Sequence, residues 1–221
     1  MASLPTSLTG PPPESRVPAH ERVFKTLRTR IIQGRVAPGE AMTLRGVGAE
    51  FGVSMTPVRE ATRRLVAEGA LKLSASGRIT VTRPTAERIE ELAALRALLE
   101  PELASRALPR AHDALIFRMV EINRQIGTAR RTRDAYAYQR LNLDFHRNLY
   151  LRAQAPAMLA LIETVWLQLG PTMRALYARH YSSAAEEQHN KVLDALRSGD
   201  EPGLRLAVRA DVTTGLRRLI G

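Results

Sequence analysis

A hydroxyl and two guanidinium groups stand at Thr56, Arg59 and Arg63 of the stretch 43–73, TLRGVGAEFGVSMTPVREATRRLVAEGALKL. Arg59 and Arg63 are four residues apart and share a helical face one turn apart. Such a helix suits the major groove of DNA. Its N-terminus favours phosphate, and arginine can donate two parallel hydrogen bonds to guanine O6 and N7. Val58, Ala61, Leu65 and Val66 recur at helical spacing and are expected to face a core.

The surrounding residues supply the elements that would present this helix. A short helix is expected from Leu44 to Phe51, a turn at Gly52-Val53, and a second helix from Ser54–Thr56 to about Glu68. Ser54 and Thr56 are both good N-cap residues. Pro57 falls in the first turn, where its missing N–H costs nothing. Gly69 supplies the left-handed stop that commonly ends a helix. This is a helix-turn-helix, preceded by a first helix from His20 to about Gly34 with the apolar stripe Val23, Leu27, Ile31 and Ile32. Residues 36–40 read as a turn. Two short strands, Leu71–Leu73 and Ile79–Val81, flank Ser74-Ala-Ser-Gly-Arg78 and read as a wing. Gly77 permits its tight turn, and Arg78 could reach the minor groove or a phosphate.

The run VSMTPVREATRRLVAEGAL resembles the winged helix-turn-helix of GntR-type transcription regulators. The resemblance extends upstream through VFKTLRTRIIQGRVAPGEAMTLRGVGAEFGVS. Met55 stands where that family usually carries an arginine, and Thr62 where it carries a leucine. Arg45 aligns with a position that contacts DNA in such regulators. The expected DNA-contact set is Arg45, Ser54, Thr56, Arg59, Arg63, Gly77 and Arg78. Most of these contacts would go to phosphates and set register, and few would read bases.

Composition agrees with a DNA partner. The net charge is +11, and residues 1–85 hold 13 Lys and Arg against 6 Asp and Glu. Such an excess suits a polyanion, although an arginine-rich proteome gives the same balance without function. Cysteine is absent, which excludes disulfides and thiolate metal sites. No apolar run approaches the roughly 20 residues that span a bilayer, and no leader-like segment opens the chain. A cytoplasmic protein without a membrane partner is expected.

Residues 1–17, with three consecutive prolines at Pro11–Pro13, read as a flexible arm. Residues 18–83 read as the winged domain. Thr82-Arg-Pro-Thr85 is the junction, where Pro84 ends the strand and Thr85 can cap the next helix. From 84 to 221 the chain reads as an all-helical bundle. Six helices are expected: Ala86–Ala107, Ala111–Arg131, Arg133–Leu151, Ala155–Tyr181, Ala184–Ser198 and Glu201–Ile220. The fold class is therefore mainly α.

Three stretches of this bundle resemble the FCD ligand-binding domain of the FadR-like branch of GntR regulators. They are Glu91–Ala104, Asn142–Leu149, and Glu187–His189 followed by Leu193–Asp200. Many FCD domains bind a divalent metal through one Asp and three His. The corresponding positions here are Asn142, His146, His189 and Asp211. The resemblance thus implies a site in which Asn replaces Asp and Asp replaces one His. Two imidazoles, a carboxylate and an amide carbonyl could hold Zn²⁺, Ni²⁺ or Mn²⁺. The alternative is a metal-free polar pocket that bonds a ligand directly. The spacing allows either. Asn142 and His146 lie one turn apart. His189 and Asp211 each lie about 15–18 Å along a helix from the Gly199 turn, and so can face each other.

Asp144 is two residues before His146, projects to another face, and is expected to pair with Arg140. Arg96 sits at the family's arginine position on the opening helix. It can clamp an effector carboxylate or pair with Glu100 one turn on. Trp166, Met158, Met173 and Tyr177 read as packing or dimer-face residues. His20, His112 and His180 carry no site.

The resulting expectation is a homodimeric regulator, acting as a repressor. It binds a double-stranded operator, and a small organic acid in the helical domain modulates its affinity. Two readings from other classes stand beside it. One is a metal-dependent enzyme using His146, His189 and Asp211, for which no further catalytic motif is found. The other is an architectural DNA-binding protein without an effector.

Overall fold

The computed structural model describes residues 17–179 and 183–220. The arm expected over 1–17 therefore lies outside the described residues except for Val17, as do His180, Tyr181 and Ser182.

The chain opens with α1 (Ala19–Ile32), which buries Val23, Phe24, Leu27 and Ile31. Its end is set by Gly34, at φ +66°. A short strand β1 (Ala41–Thr43) leads into α2 (Leu44–Phe51). Thr43 caps that helix, its hydroxyl accepting from Gly46 N at 3.0 Å. Gly52 then reverses the chain at φ +63°, a left-handed conformation that glycine adopts without steric cost. Helix α3 (Met55–Ala67) follows. Strands β2 (Leu71–Leu73) and β3 (Arg78–Val81) complete an antiparallel sheet of order β1-β3-β2, with Met42 opposite Ile79 and Leu73 opposite the same residue on the other side.

Two sequence expectations need correction here, and one strand is added. Val66 does not face the core: it is 37 % exposed, while Thr62 is fully buried. Val58, Ala61 and Leu65 define the stripe, and at 3.6 residues per turn position 66 lies about 100° beyond Leu65. Thr56 is not a cap, since the cap position belongs to Ser54, whose side chain makes no capping bond. Strand β1 is an addition to the sequence reading, which names no element over residues 41–43.

The remainder is helical: α4 (Ala86–Ala107), α5 (Asp113–Arg131), α6 (Ala135–Tyr150), α7 (Pro156–Arg179), α8 (Ala184–Ser198) and α9 (Glu201–Ile220). Thr85 caps α4 through Arg88 N, and Asp200 bonds Gly203 N at the start of α9. Helix α5 starts two residues later than expected because His112 is its cap, its Nδ1 accepting from Leu115 N at 3.2 Å. Helix α6 also starts later: Arg133 is left-handed at φ +56°, and the Asp134 carboxylate caps Ala137 N. At its other end Leu151–Ala153 forms a separate 3-10 turn. Among the described residues no helix is long and apolar enough to cross a membrane.

Two apolar cores form. One gathers residues from α1, α2, α3 and the sheet; the other gathers α4 to α9. Helix α7 joins them. Its Leu167 is fully buried in the first core, while Val165, Trp166 and Leu169 belong to the second. Gln168 Nε2 donates to the Glu68 carbonyl at the end of α3. Arg28 of α1 pairs with Glu68 at 3.0 Å and with Glu163 of α7 at 3.4 Å. At Gly170 a methyl group would come within 2.3 Å of the Ile32 carbonyl oxygen, so only glycine lets α1 and α7 approach this closely.

Candidate functional site

On the winged head, the arginines divide into two groups. Arg28 is held by Glu68 and Glu163, and Arg30 by Glu50 with its guanidinium over the Phe51 ring. Arg64 pairs with Glu21 at 2.6 Å and stacks over Phe24 at 3.7 Å. Arg45, Arg59, Arg63 and Arg78 are exposed, and their side chains have no hydrogen-bond or ion-pair partner among the described residues. Unpaired guanidinium groups carry their full field into solvent and keep all their donors for a phosphate or a base edge. Ser54 and Thr56 are exposed at the N-terminus of α3 beside Met55, which is 47 % exposed. Gly77, at φ +80°, closes the turn between β2 and β3, where Ser74 Oγ accepts from Arg78 N. His20, which carries no site in the sequence reading, sits 3.6 Å from Glu60.

In the helical body, α6 carries Asn142 and His146, α8 carries His189 and α9 carries Asp211. All four side chains are buried. Asp211 Oδ2 lies 2.9 Å from His146 Nε2 and 3.7 Å from His189 Nε2. The three ligand atoms lie within 4.8 Å of one another. His146 Nε2 is near enough to Asp211 for an ion pair but lacks hydrogen-bond alignment, and among the described residues neither ring's Nε2 nor Asn142 Oδ1 has a hydrogen-bond partner.

The outer partners of the rings assign their tautomers. Tyr150 OH donates to Glu100 Oε2 at 2.8 Å, so its oxygen accepts from His146 Nδ1 at 3.1 Å. Asn123 spends its amide hydrogens on Asn190, so its Oδ1 accepts from His189 Nδ1 at 3.0 Å. Each ring therefore donates from Nδ1 and turns its Nε2 inward, the nitrogen left to act as a ligand. Burial pushes the His189 imidazole down, favouring its neutral form. Burial pushes the Asp211 carboxyl up, but a proton held on the facing His189 and His146 rings outweighs it and keeps the group well below the usual carboxylate range; a cation taken up in the cluster would replace that proton. A carboxylate and two imidazole Nε2 atoms thus converge in a buried space. Electron-rich atoms in that arrangement fit a divalent cation, which needs its ligands deprotonated.

Beside the cluster is a narrow cavity lined by Arg96, Gln139, Asn142, Trp166, Met173 and Tyr177 among others. Both sequence alternatives for Arg96 bear on its position. It is buried and bonds Glu100 Oε1 through Nε at 2.6 Å, while its side chain also lines the cavity. Glu100, fully buried, also accepts from Trp166 Nε1 at 3.1 Å and from Tyr150 OH. Asp144 pairs with Arg140 at 3.2 Å, away from the cluster.

Sequence reasoning had not singled out Tyr150, Asn123 or Gln139, and had treated Trp166 as packing. Tyr150 lies one turn beyond His146, so the same-face rule that paired Asn142 with His146 reaches it too. Asn123 comes from α5, 66 residues from His189, and no local pattern marks it.

Comparison with known proteins agrees with this architecture. A family model described as "Bacterial regulatory proteins, gntR family" matches residues 19–81, and one for the FCD domain matches residues 91–214. The HTH-type transcriptional regulator McbR of Escherichia coli K12 is 26 % identical over 187 residues, 83 % of this chain and 85 % of that protein. The gluconate operon transcriptional repressor of Bacillus subtilis 168 is 28 % identical over 154 residues, 70 % of this chain and 61 % of that protein. The solved structure of E. coli McbR/YncC superposes with a TM-score of 0.84 at 24 % identity, covering 92 % of this chain and 97 % of the other. A GntR regulator from Rhodococcus sp. RHA1 gives a TM-score of 0.77 at 22 % identity, over 91 % and 97 % of the two chains.

Proposed function

The chain belongs to the GntR family of transcriptional regulators with an FCD domain, and from that premise we propose how its residues divide the work. The winged head, set off at Thr82–Thr85, reads DNA through α3. Thr56, Arg59 and Arg63 enter the major groove, Ser54 and Arg45 bind phosphate, and Arg78 beyond Gly77 follows the wing to the adjacent backbone. The observation that carries this reading is the set of four head arginines that are unpaired among the described residues, while Arg22, Arg28, Arg30, Arg35, Arg64 and Arg83 are all engaged by other groups of the chain. The protein works as a homodimer, because a two-fold operator needs two heads. It acts in the cytoplasm and as a repressor, in line with the gluconate operon relatives, which are named repressors.

The helical body is the sensing half. Asn142, His146, His189 and Asp211 would hold a divalent ion, Zn²⁺, Ni²⁺ or Mn²⁺, which would supply an electrophilic anchor for a small organic acid. Arg96 orients the acid's carboxylate from the cavity side, its own charge balanced by Glu100. Tyr150 and Asn123 hold the two imidazoles in the ligating tautomer. The acid can act only through its different affinity for two arrangements of head and body.

The test is an electrophoretic shift with DNA from upstream of the protein's own gene, run with and without candidate organic acids, beside metal analysis of the purified protein. Saturable binding that competitor DNA does not remove, and that one class of acid reverses, is expected. Binding indifferent to sequence would overturn the regulatory reading.

A further inference from the structure

The cavity beside the histidine cluster is small, about 20 Å³, room for roughly one water molecule. A carboxylate can enter only if a wall gives way. Most walls are fixed. Arg96 and Trp166 both donate to Glu100. Tyr177 packs edge-on against Tyr138 with ring centroids 4.4 Å apart. Gly170 is backbone, closed against α1 by the Ile31 and Ile32 carbonyls.

Gln139 differs from these. It is 3 % exposed and lines the cavity, yet its hydrogen bond is made outside the body. Its Nε2 donates to the Ile32 carbonyl at 3.2 Å. Ile32 is the last residue of α1, and a helix leaves its final carbonyls without intrahelical donors. Among the described residues no backbone N–H is bonded to that oxygen. Gln139 is therefore the side chain of this cavity whose hydrogen bond reaches the winged head, and it satisfies an otherwise orphaned carbonyl there.

We propose that Gln139 is the latch between effector cavity and DNA-reading head. A carboxylate entering beside Arg96 and Asn142 takes up the Gln139 amide as a donor. The Ile32 carbonyl is released, and the C-terminal end of α1 shifts against Gly170 and α7. The Arg28–Glu163 pair remains as the pivot of that movement. This inference rests on the reading of the cavity as the effector site.

The full chain offers a clean test because it contains no cysteine. Cysteines introduced at Lys72 on β2 and Ala114 on α5, both exposed, take spin labels. Label separation is measured by pulsed electron resonance, with labelled chain diluted into unlabelled chain. Zinc acetate is the probe of cavity occupancy. In Gln139→Met the amide is absent, and the separation should move by about 2 Å or more, the scale of a real rearrangement. Zinc acetate should move the unsubstituted chain in the same direction and leave Gln139→Met unchanged. Gln139→Asn, which retracts the amide by one methylene, decides by the same criteria if Gln139→Met does not unfold cooperatively. A substituted chain that keeps the original separation overturns the latch. Displacement in Gln139→Met with no response of the unsubstituted chain to zinc acetate supports the latch and counts instead against the cavity as a carboxylate site.

Discussion

His189 Nδ1 lies 3.0 Å from Asn123 Oδ1, and this contact, made between α8 and α5, fixes which nitrogen of the ring faces Asp211. Asn123 is itself held, donating to Asn190 Oδ1 at 2.9 Å. A residue bonded only to the outer nitrogen of His189 therefore decides which nitrogen that ring turns to Asp211.

Asn123→Leu should accordingly leave the ligand residues in place but weaken metal binding. Loss of such an outer partner typically lowers affinity about 10–100-fold. Zinc titration against a chromogenic chelator reads this directly. Affinity equal to that of the unsubstituted chain would mean that the ring is oriented by packing alone, through Phe145, which stacks on it with centroids 3.9 Å apart.

Three donors end on the buried Glu100 carboxylate. Glu100→Ala would leave the buried Arg96 guanidinium without its counter-charge and orphan the Trp166 and Tyr150 donors. Breaking a buried pair from one side costs about 3–5 kcal/mol, whereas replacing both partners by apolar residues is often neutral. Urea unfolding should therefore show a large loss for Glu100→Ala and a much smaller one for Arg96→Met combined with Glu100→Leu. Equal losses would place the importance of Glu100 in its bonds to Trp166 and Tyr150 rather than in Arg96.

These two residues also mark the limit of what the sequence discloses. Periodicity and capping chemistry place α2, α4, α8 and α9 at their observed bounds, since Thr85 and Asp200 at helix starts, and Gly52 and Gly199 at helix ends, are local signals. The hairpin argument from Gly199 brings His189 and Asp211 together for the same reason: two helices and one turn fix the level of each residue. Local signals fail where partners are distant. The contact of Asn123 with His189, the three donors on Glu100 and the insertion of Leu167 into the head's core all depend on how helices cross. Val66 is a different case: its residue type suits the apolar stripe, but Thr62, polar and better placed, completes it.

Gly170→Ala tests the seam between head and body. The added methyl would lie 2.3 Å from the Ile32 carbonyl oxygen and 2.6 Å from that of Ile31, both backbone atoms that no rotamer change can relieve. Overpacking of this kind costs about 1–3 kcal/mol. Thermal unfolding should fall in temperature, and the head should be cleaved more readily from the body by limited proteolysis between 82 and 85. An unchanged melting temperature and cleavage rate would show that α1 can withdraw from α7 at no cost.

The arginines of the head allow the most direct separation of positioning from reading. Arg59 sits in the first half of α3 with its guanidinium unpaired, whereas Arg64 on the same helix is tied to Glu21 and Phe24. Arg59→Ala should reduce discrimination between operator and unrelated DNA by about 1–3 kcal/mol, the worth of one good base contact. Arg45→Ala or Arg78→Ala should instead weaken binding to all sequences and lower the salt slope by about one. Arg64→Ala should leave the slope unchanged and act on stability alone, because the loss is a contact within the head. Fluorescence anisotropy at several salt concentrations, with specific and scrambled duplexes, distinguishes the three patterns. Should Arg59→Ala and Arg64→Ala behave alike, α3 does not meet the bases through the face that carries Arg59, and the groove-reading role passes to another part of the head.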